Sequence, residues 1–486
     1  MSYPTALPSE ELPDKPEEAC AVFGVYAPGE DVAKLNYFGL YALQHRGQES
    51  AGIAAFSADG VRLHKDMGLV ARVFDEEILQ QLPGDIAVGH TRYSTTGSSL
   101  IANAQPVVVP TKLGSLALAH NGNLVNPEQL KESLKNDNYE LISTTDSEMI
   151  AVAIAQEVDS GKSWLEGAKA AFDRCQGAYS LAIGTPEGLM GARDPHGIRP
   201  LVIGTFGDNS QHYVIASETA GLDIIGAEYL RDVEPGEIVW ITEQGLASYH
   251  WSEKPEPKLC IFEMIYFSRP DSIVNQESLY SYRLRLGQQL AAESYVEADS
   301  VIPVPDSGVP AAIGFSHGCG ITYEEGLIKN RYVGRTFIEP TQRMREVGIR
   351  MKLNPLKDVI NGKRIIIVDD SIVRGTTSGK IVQALRDAGA VEVHMRISSP
   401  PVTHPCFYGL DTDNQDQLIA ATQSVEDVAK KIGVDSLAYL SWEGMLKATG
   451  EDPNNFCSAC FTGDYPIEIP DKMKQNKLLL EQNVSS

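Results

Sequence analysis

No stretch of this chain is apolar for long enough to cross a bilayer as a helix. Basic residues are in short supply. Lys and Arg number 41 against 65 Asp and Glu, and the formal net charge is -24. A surface that acidic repels nucleic acid and anionic lipid, so neither a nucleic acid nor a membrane is expected as a partner. Cysteines are few and odd in number: Cys20, Cys175, Cys260, Cys319, Cys406, Cys457 and Cys460. That count in a long chain disfavours a disulfide framework and favours catalysis or metal binding. A secretory signal is also missing. The first nineteen residues hold four prolines, four glutamates and one aspartate, without a basic start or an apolar middle. They are expected to be a disordered leader on a cytoplasmic protein. No internal repeat is visible.

What is there is an ordinary globular composition, 43% hydrophobic and 22% charged, over 486 residues. One hydrophobic core rarely grows that large, so two or more domains are expected. From Cys20 onward, short β-rich runs alternate with Gly turns: Cys20–Tyr26, Ile86–His90, Leu116–Ala119 and Ala178–Ile183. Helical stretches follow at Asp146–Val158 and Trp164–Ala171. Strands grouped between helix pairs predict a layered α+β domain over 20–251. Ser252–Lys258 has two prolines and four charges and is expected to be a linker. Beyond it, apolar strands at Val301–Pro305, Arg364–Val368 and Val391–Ile397 alternate with helices such as Thr377–Ala388. This is the pattern of a parallel α/β sheet, over 259–445, followed by a C-terminal segment, 446–486.

Cys20 lies where the leader meets the first strand. Removal of residues 1–19 would give one residue both a thiol and a free α-amine. That amine, with an ordinary pKa near ~8, can take the thiol proton without a separate histidine. A lone cysteine here would more often be a small buried side chain. Its company changes that reading. Gln44–Gly52 (QHRGQESAG), Gly89–Thr95 (GHTRYST), His120–Asn123 (HNGN) and Thr145–Ser147 (TDS) are polar and Gly-punctuated. Arg92 can fork onto a carboxylate, and Asp146 can hold an ammonium. The Asn121 side chain and the Gly122 N–H can form an oxyanion hole. This order of motifs resembles the glutamine amidotransferases that use an N-terminal cysteine. The resemblance covers about residues 20–250 and places Arg46 and Gly47 of the His-Arg-Gly loop in the glutamine site. Ala21 stands where Gly is common in that family.

Arg364–Ser378 reads RIIIVDDSIVRGTTS. A buried strand ends in Asp369 and Asp370, and a loop of small and hydroxyl residues leads into a helix. Ligands of parallel sheets bind at the carboxyl ends of the strands. Ser371, Arg374, Gly375, Thr376 and Thr377 can wrap a phosphate at the helix N-terminus. The two acids can engage ribose hydroxyls and the Mg²⁺ that accompanies pyrophosphate. A plain strand, acidic turn and N-cap is the bland alternative. The run resembles the phosphoribosyl pyrophosphate (PRPP) motif of type I phosphoribosyltransferases. Pro303–Ala311, with Asp306 and Ser307, resembles their pyrophosphate loop, and Ser307 joins Asp369 and Asp370 in the expected Mg²⁺ site. Lys329–Lys352 carries seven basic residues, among them Lys329, Arg331 and Arg335, against two acids. It is either a solvated helix face or a flap that closes over pyrophosphate.

Taken in order, the two halves are similar to the amidophosphoribosyltransferase family. The resemblance implies an αββα N-terminal-nucleophile glutaminase domain joined to a Rossmann-like transferase domain. It also implies glutamine and PRPP as substrates, phosphoribosylamine as product, feedback by purine nucleotides and a homotetramer. Cys457 and Cys460 form a CxxC that Cys260 and Cys406 could complete to four thiolates. By count, zinc and a [4Fe–4S] cluster suit four cysteines equally. One branch of the family carries a [4Fe–4S] cluster at the matching positions and keeps a propeptide, which implies one such cluster here. Loss of the metal is then expected to loosen the transferase domain from the C-terminal segment. Cys175 and Cys319 are expected to be structural. Two rival readings share part of the pattern: an amidotransferase of the glucosamine-phosphate synthase type, and a PRPP-sensing regulator on a transferase fold. Asp369-Asp370 argues against the first, and the Cys20 constellation against the second.

Overall fold

In a computed structural model, the residues described are 20–93, 100–134, 141–208, 211–330, 353–410, 412, 415–471 and 473. They pack into two units. The first comprises Glu18–Arg283, Pro405–Asp413 and Leu446–Ser486, and the second Leu284–His404 and Asn414–Met445.

The first unit is built on two antiparallel sheets. One has seven strands in the order Glu228–Asp232, Val202–Phe206, His212–Ala216, Ala21–Tyr26, Ile86–Arg92, Ser50–Ser57, Gly60–Met67. The other has six: Gly245–His250, Glu237–Thr242, Gly188–Arg193, Gly177–Thr185, Gly114–Leu124, Val107–Thr111. Side chains alternate across a strand, so a strand covered on both faces must be apolar at every position. Ala21–Tyr26 is buried throughout. Ala21, Phe23 and Val25 enter a core with Val32, Ala33 and Leu40 of the helix Val32–Ala42. Val22 and Tyr26 enter the core between the sheets, with Ala117, Ala182 and Leu189. On the far side, Leu118 and Leu181 pack with Met149 of the helix Asp146–Asp159 and Trp164 of Trp164–Phe172. The layers therefore run helix, sheet, sheet, helix. Burying Phe23 against the first helix contributes about 1.5–3 kcal/mol. Gly39 permits that contact, since a Cβ there would stand 2.3 Å from the Phe23 ring.

The second unit carries a four-stranded parallel sheet in the order Ser300–Pro303, Arg364–Asp369, Glu392–Ile397, Ser436–Tyr439. Ile365 to Val368 are all buried, as a central parallel strand requires. The helices Thr376–Asp387 and Val425–Ile432 pack Ile381, Val382, Val428 and Ile432 into the same core as Ile365 and Ile367.

The expected boundaries shift. The described residues of 259–283, 405–412 and 446–473 belong with the first unit and not with the parallel sheet. Pairing explains this: Leu259–Cys260 is a strand parallel to Phe456–Cys457. The Tyr408 hydroxyl donates to Ile467 O at 2.8 Å, and Tyr465 to Pro405 O at 2.6 Å. Among the described residues, no helix is long and apolar enough to cross a membrane.

Candidate functional site: two half-sites and a cysteine pocket

Cys20 sits directly before the central strand of the seven-stranded sheet. Antiparallel pairing of Ala21 with Thr91 and of Ser50 with Arg92 brings Cys20, Arg92 and Ser50 to one edge. The Cys20 thiol lies 3.5 Å from Tyr93 O. Burial pushes it up to about 12, partly offset by Arg92 and reinforced by Glu49 and Asp146. A thiol in that environment needs a base at hand to become a nucleophile. Arg92 is buried and pairs with Glu49. Gly47 packs its backbone on the strand that ends in Arg92, where a Cβ would come within 2.6 Å of Thr91 C.

The second sheet supplies the other wall. Asn121 is fully buried, and neither its Nδ2 nor its Oδ1 has a hydrogen-bond partner among the described residues. A buried amide left unpaired costs stability and marks a place held for a ligand. Gly122 has φ +147°, and a Cβ there would sit 2.1 Å from Ala178 O. Asp146 opens the helix Asp146–Asp159. Its Oδ2 accepts the Leu124 N–H at 2.8 Å, and its Oδ1 lies 3.6 Å from His120 Nδ1. Burial alone would raise its pKa, but His120 and these hydrogen bonds hold it below the usual range. Asp146 therefore stays ionised beside the thiol. His90 is kept neutral: burial lowers it to about 3.

Arg46 is committed to partners within the fold. It is buried, and its Nη1 pairs with Glu218 at 2.6 Å while its Nη2 and Nη1 hold Glu263 at 2.6 and 2.9 Å. Its Nε donates to Cys20 O at 3.2 Å. Its guanidinium thus fixes the nucleophile's backbone and leaves no fork for a substrate carboxylate. Burial alone would raise both glutamates, but Arg46, with His45 for Glu218 and Arg199 for Glu263, keeps them ionised. Removing one partner of such a buried pair typically costs about 3–5 kcal/mol. Sequence reading missed Glu49, His120, Arg199, Glu218 and Glu263. A Glu three residues after a candidate ligand, Cys260, was the one available signal.

In the second unit, Asp369 ends the strand Arg364–Asp369. Asp369, Asp370 and Ser371 are buried. Asp369 Oδ1 accepts the Asp370 N–H at 2.9 Å, and Ser371 donates to Asp370 Oδ1 at 2.7 Å. Gly375, at φ +79°, turns the chain into the helix Thr376–Asp387. A helix N-terminus of this kind, reached through a glycine turn, is where a phosphate is commonly received. Arg374 Nε donates to Gln417 Oε1 at 3.2 Å. The neighbouring parallel strand, Ser300–Pro303, leads into Asp306 and Ser307, so both loops leave the same end of the sheet. The Pro305–Asp306 peptide is cis. Lys329, at the end of Leu327–Lys329, pairs with Asp306 at 2.7 Å. Arg331 and Arg335 lie outside the described residues.

Cys260, Cys406, Cys457 and Cys460 line one pocket of the first unit with Arg199, Tyr408 and Tyr465. Cys260 lies opposite Cys457 across the two-strand pairing. The Cys406 sulfur accepts the Tyr408 N–H at 3.4 Å. Burial pushes Cys260 up to about 11 and Cys457 and Cys460 further up, and each is raised again by its neighbouring cysteines. Several buried thiolates are tolerated only with a cation among them. Among the described residues, however, no three His, Cys, Asp or Glu side chains converge on a point fit for a single ion. Zinc needs its sulfurs within ~2.3 Å of one centre, whereas each iron of a cluster takes a different thiolate on a larger cage. Four thiols lining one pocket are a donor set that could hold a polynuclear cluster. Cys175 and Cys319 lie apart from it, with their sulfurs on Ala171 O and Ser316 O.

Comparisons with known proteins agree with this geometry. Residues 90–223 match the glutamine amidotransferase domain family. The chain is 68% identical to the amidophosphoribosyltransferase of Synechococcus elongatus, over 97% of this chain and 96% of that one. It is 49% identical to that of Bacillus subtilis, over 93% and 95%. The solved B. subtilis glutamine PRPP amidotransferase, complexed with ADP and GMP, matches with a TM-score of 0.87 and 48% identity, over 93% of this chain and 98% of that one. A structure described as the allosteric regulatory enzyme of purine biosynthesis also gives 0.87, at 47% identity, over 93% and 97%.

Proposed function

The chain belongs to the amidophosphoribosyltransferase family, and on that footing we infer that it hydrolyses glutamine and transfers the ammonia to PRPP, giving 5-phosphoribosylamine, glutamate and pyrophosphate, the first step of purine synthesis. The observation that carries the residue assignment is the unpaired Asn121 amide, on a strand whose Leu124 N–H is held by the same Asp146 that acts on the Cys20 thiol.

Once the leader is removed, the Cys20 α-amine takes the thiol proton and the thiolate attacks the glutamine side-chain carbonyl carbon. The oxyanion is met by Asn121 Nδ2 and the Gly122 N–H. The α-ammonium returns its proton to the leaving nitrogen, ammonia departs, and water then cleaves the thioester to glutamate. Arg92 and Asp146 receive the substrate's carboxylate and ammonium. In the second unit, ammonia forms a bond to ribose C1 as pyrophosphate leaves. The helix N-terminus at Thr376 and Thr377 and the Arg374–Gly375 turn hold the 5-phosphate. Asp369 and Asp370 hold the ribose hydroxyls and, with Ser307, would hold a Mg²⁺, whose charge would offset that of the departing pyrophosphate.

The proposal extends to removal of residues 1–19, a [4Fe–4S] cluster on Cys260, Cys406, Cys457 and Cys460, a cytoplasmic location and a homotetramer. Cys260, Cys406, Cys457 and Cys460 would hold the cluster, whose metal would offset the charge of four buried thiolates and serve a structural role. It binds within the glutaminase unit, so the expectation that its loss frees the transferase domain from the C-terminal segment gives way to one of loosening within that unit. Purine nucleotides as feedback inhibitors are supported by the ADP and GMP bound to the B. subtilis relative. The test is stoichiometry. Supplied with glutamine, PRPP and Mg²⁺, the mature enzyme should release glutamate and pyrophosphate in equal amounts, and omission of PRPP should abolish pyrophosphate. Pyrophosphate release that ignores both glutamine and ammonia would overturn the assignment. Intact mass of the active enzyme should begin at Cys20, and metal analysis should find iron. A retained leader with full glutamine activity, or zinc in a fully active colourless protein, would refute those two parts.

A further inference from the structure

Arg199 is a cation that the reaction above does not use. It is completely buried, lines the four-cysteine pocket, and has no hydrogen-bond partner at Nε or Nη1. Nη1 stands 3.4 Å from Glu263 Oε1, a separation that leaves Glu263 to the two shorter bonds from Arg46. Nη2 reaches Gly409 O at 3.4 Å, three residues past Cys406. The residue before it, Ile198, accepts the Cys260 N–H at 3.0 Å. Arg199 thus touches the segments that carry two of the four cysteines, and its positive charge bears on Cys260 and Cys457 on one side and on Cys20 on the other.

A buried guanidinium with unmet donors is costly unless something accepts from it. Among the described residues nothing accepts a hydrogen bond from Nε or Nη1, and the pocket that Arg199 lines is where the four cysteine sulfurs gather. We propose that Arg199 is the positioning residue that fastens the metal cluster to the glutaminase site: its Nε–H and Nη1–H donate to sulfur of a cluster held by Cys260, Cys406, Cys457 and Cys460, and the Glu263–Arg46 pair carries that constraint to the Cys20 carbonyl. The same loop extends the connection. Asn123 Nδ2 donates to Phe407 O at 3.0 Å, and Gly409 lies so close to Gly122 that a Cβ on it would stand 3.2 Å from the Gly122 backbone. The segment that presents Cys406 is therefore the back wall of the oxyanion strand. This inference rests on the cluster assignment above.

The experiment compares wild type, Arg199→Met and Arg199→Lys, each purified anaerobically as the mature holoenzyme. Three quantities are read: iron per chain, the midpoint potential of the cluster, and the half-life of its visible absorption in air. Donors and positive charge near a cluster favour its more negative, reduced state, so their removal should lower the potential. R199M should show a lower potential and a severalfold shorter half-life, and R199K should recover part of both. A residue that merely balances Glu263 would change thermal stability or iron content and leave the potential of the remaining cluster untouched. That result overturns the inference. If R199M does not fold, the potential of R199K decides alone: unchanged from wild type, it overturns the inference as well. Wild-type protein without iron would instead sink the cluster assignment itself, an outcome separable from the first because it appears before any substitution is made.

Discussion

The glutaminase half-site and the phosphoribosyl half-site are assembled in opposite ways. The phosphoribosyl site is nearly a single sentence of sequence. Asp369, Asp370, Ser371, Arg374, Gly375 and Thr376 follow one another from the end of a strand into a helix. The glutaminase site comes from separate segments around Cys20, Arg46, Arg92, Asn121, Asp146, Glu218 and Glu263, and a buried ion network holds it. A contiguous site is carried by its own backbone geometry. A dispersed site depends on long-range packing and charge balance, so its chemistry and its stability are coupled.

The strongest way to break this contrast is Arg46→Met, which strands Glu218 and Glu263 as buried charges. The expected loss is about 3–5 kcal/mol of stability in the first unit, seen in the denaturant midpoint, together with loss of glutaminase. A stable variant with normal glutaminase would mean that the network is ornamental. Asn121→Ala comes next. It should lower glutaminase kcat about 10²–10³-fold, worth about 2.7–4 kcal/mol, with little change in stability or in ammonia-dependent synthesis. A rise in KM with kcat unchanged would argue that the amide serves substrate binding and not the oxyanion. Gly39→Ala should cost about 1–3 kcal/mol by forcing a methyl into the Phe23 ring, leaving the rate per folded molecule as it was. Thermal unfolding of the variant measures it, and an unchanged melting temperature would show that the helix simply slides.

The smallest expected effect is in pH. Asp146 is held below its ordinary value of 3.8, so its charged form stabilises the fold at pH values above that ordinary value and loses this contribution as pH falls through the folded value. The stability gap between wild type and Asp146→Asn should be flat from pH 7 down to about 5 and shrink below about 4. A gap that closes already near neutrality would contradict this assignment.

The same contrast explains what could be read beforehand. The apolar run Arg364–Val368 ending in two acids announced its strand and the helix after it, because the pattern lies within fifteen consecutive positions. Helix limits came close as well: Trp164–Ala171 was expected and Trp164–Phe172 is found, with Ser163 and Glu166 closing a capping box. Cys20, Arg92, Asn121 and Asp146 were legible only as a set whose order resembled a known class. The partners of Arg46 were not legible, because nothing in QHRGQ says that Glu218 and Glu263 lie across from it. The boundary at 259 was misplaced for a related reason. A Pro-rich linker signals a break in the chain, and gives no sign that the next strand turns back to pair with Cys457.

The central claim is that the two half-sites perform separable chemistry in one chain. The measurement is glutamine-dependent synthesis, ammonia-dependent synthesis and glutamine hydrolysis, compared in Cys20→Ser and Asp370→Asn. Cys20→Ser should lose hydrolysis and glutamine-dependent synthesis while keeping synthesis from ammonia. Asp370→Asn should lose synthesis from either nitrogen source and keep basal hydrolysis. Equal loss of all three activities in Cys20→Ser would contradict the account, because Cys20 would then be a structural residue and not the nucleophile.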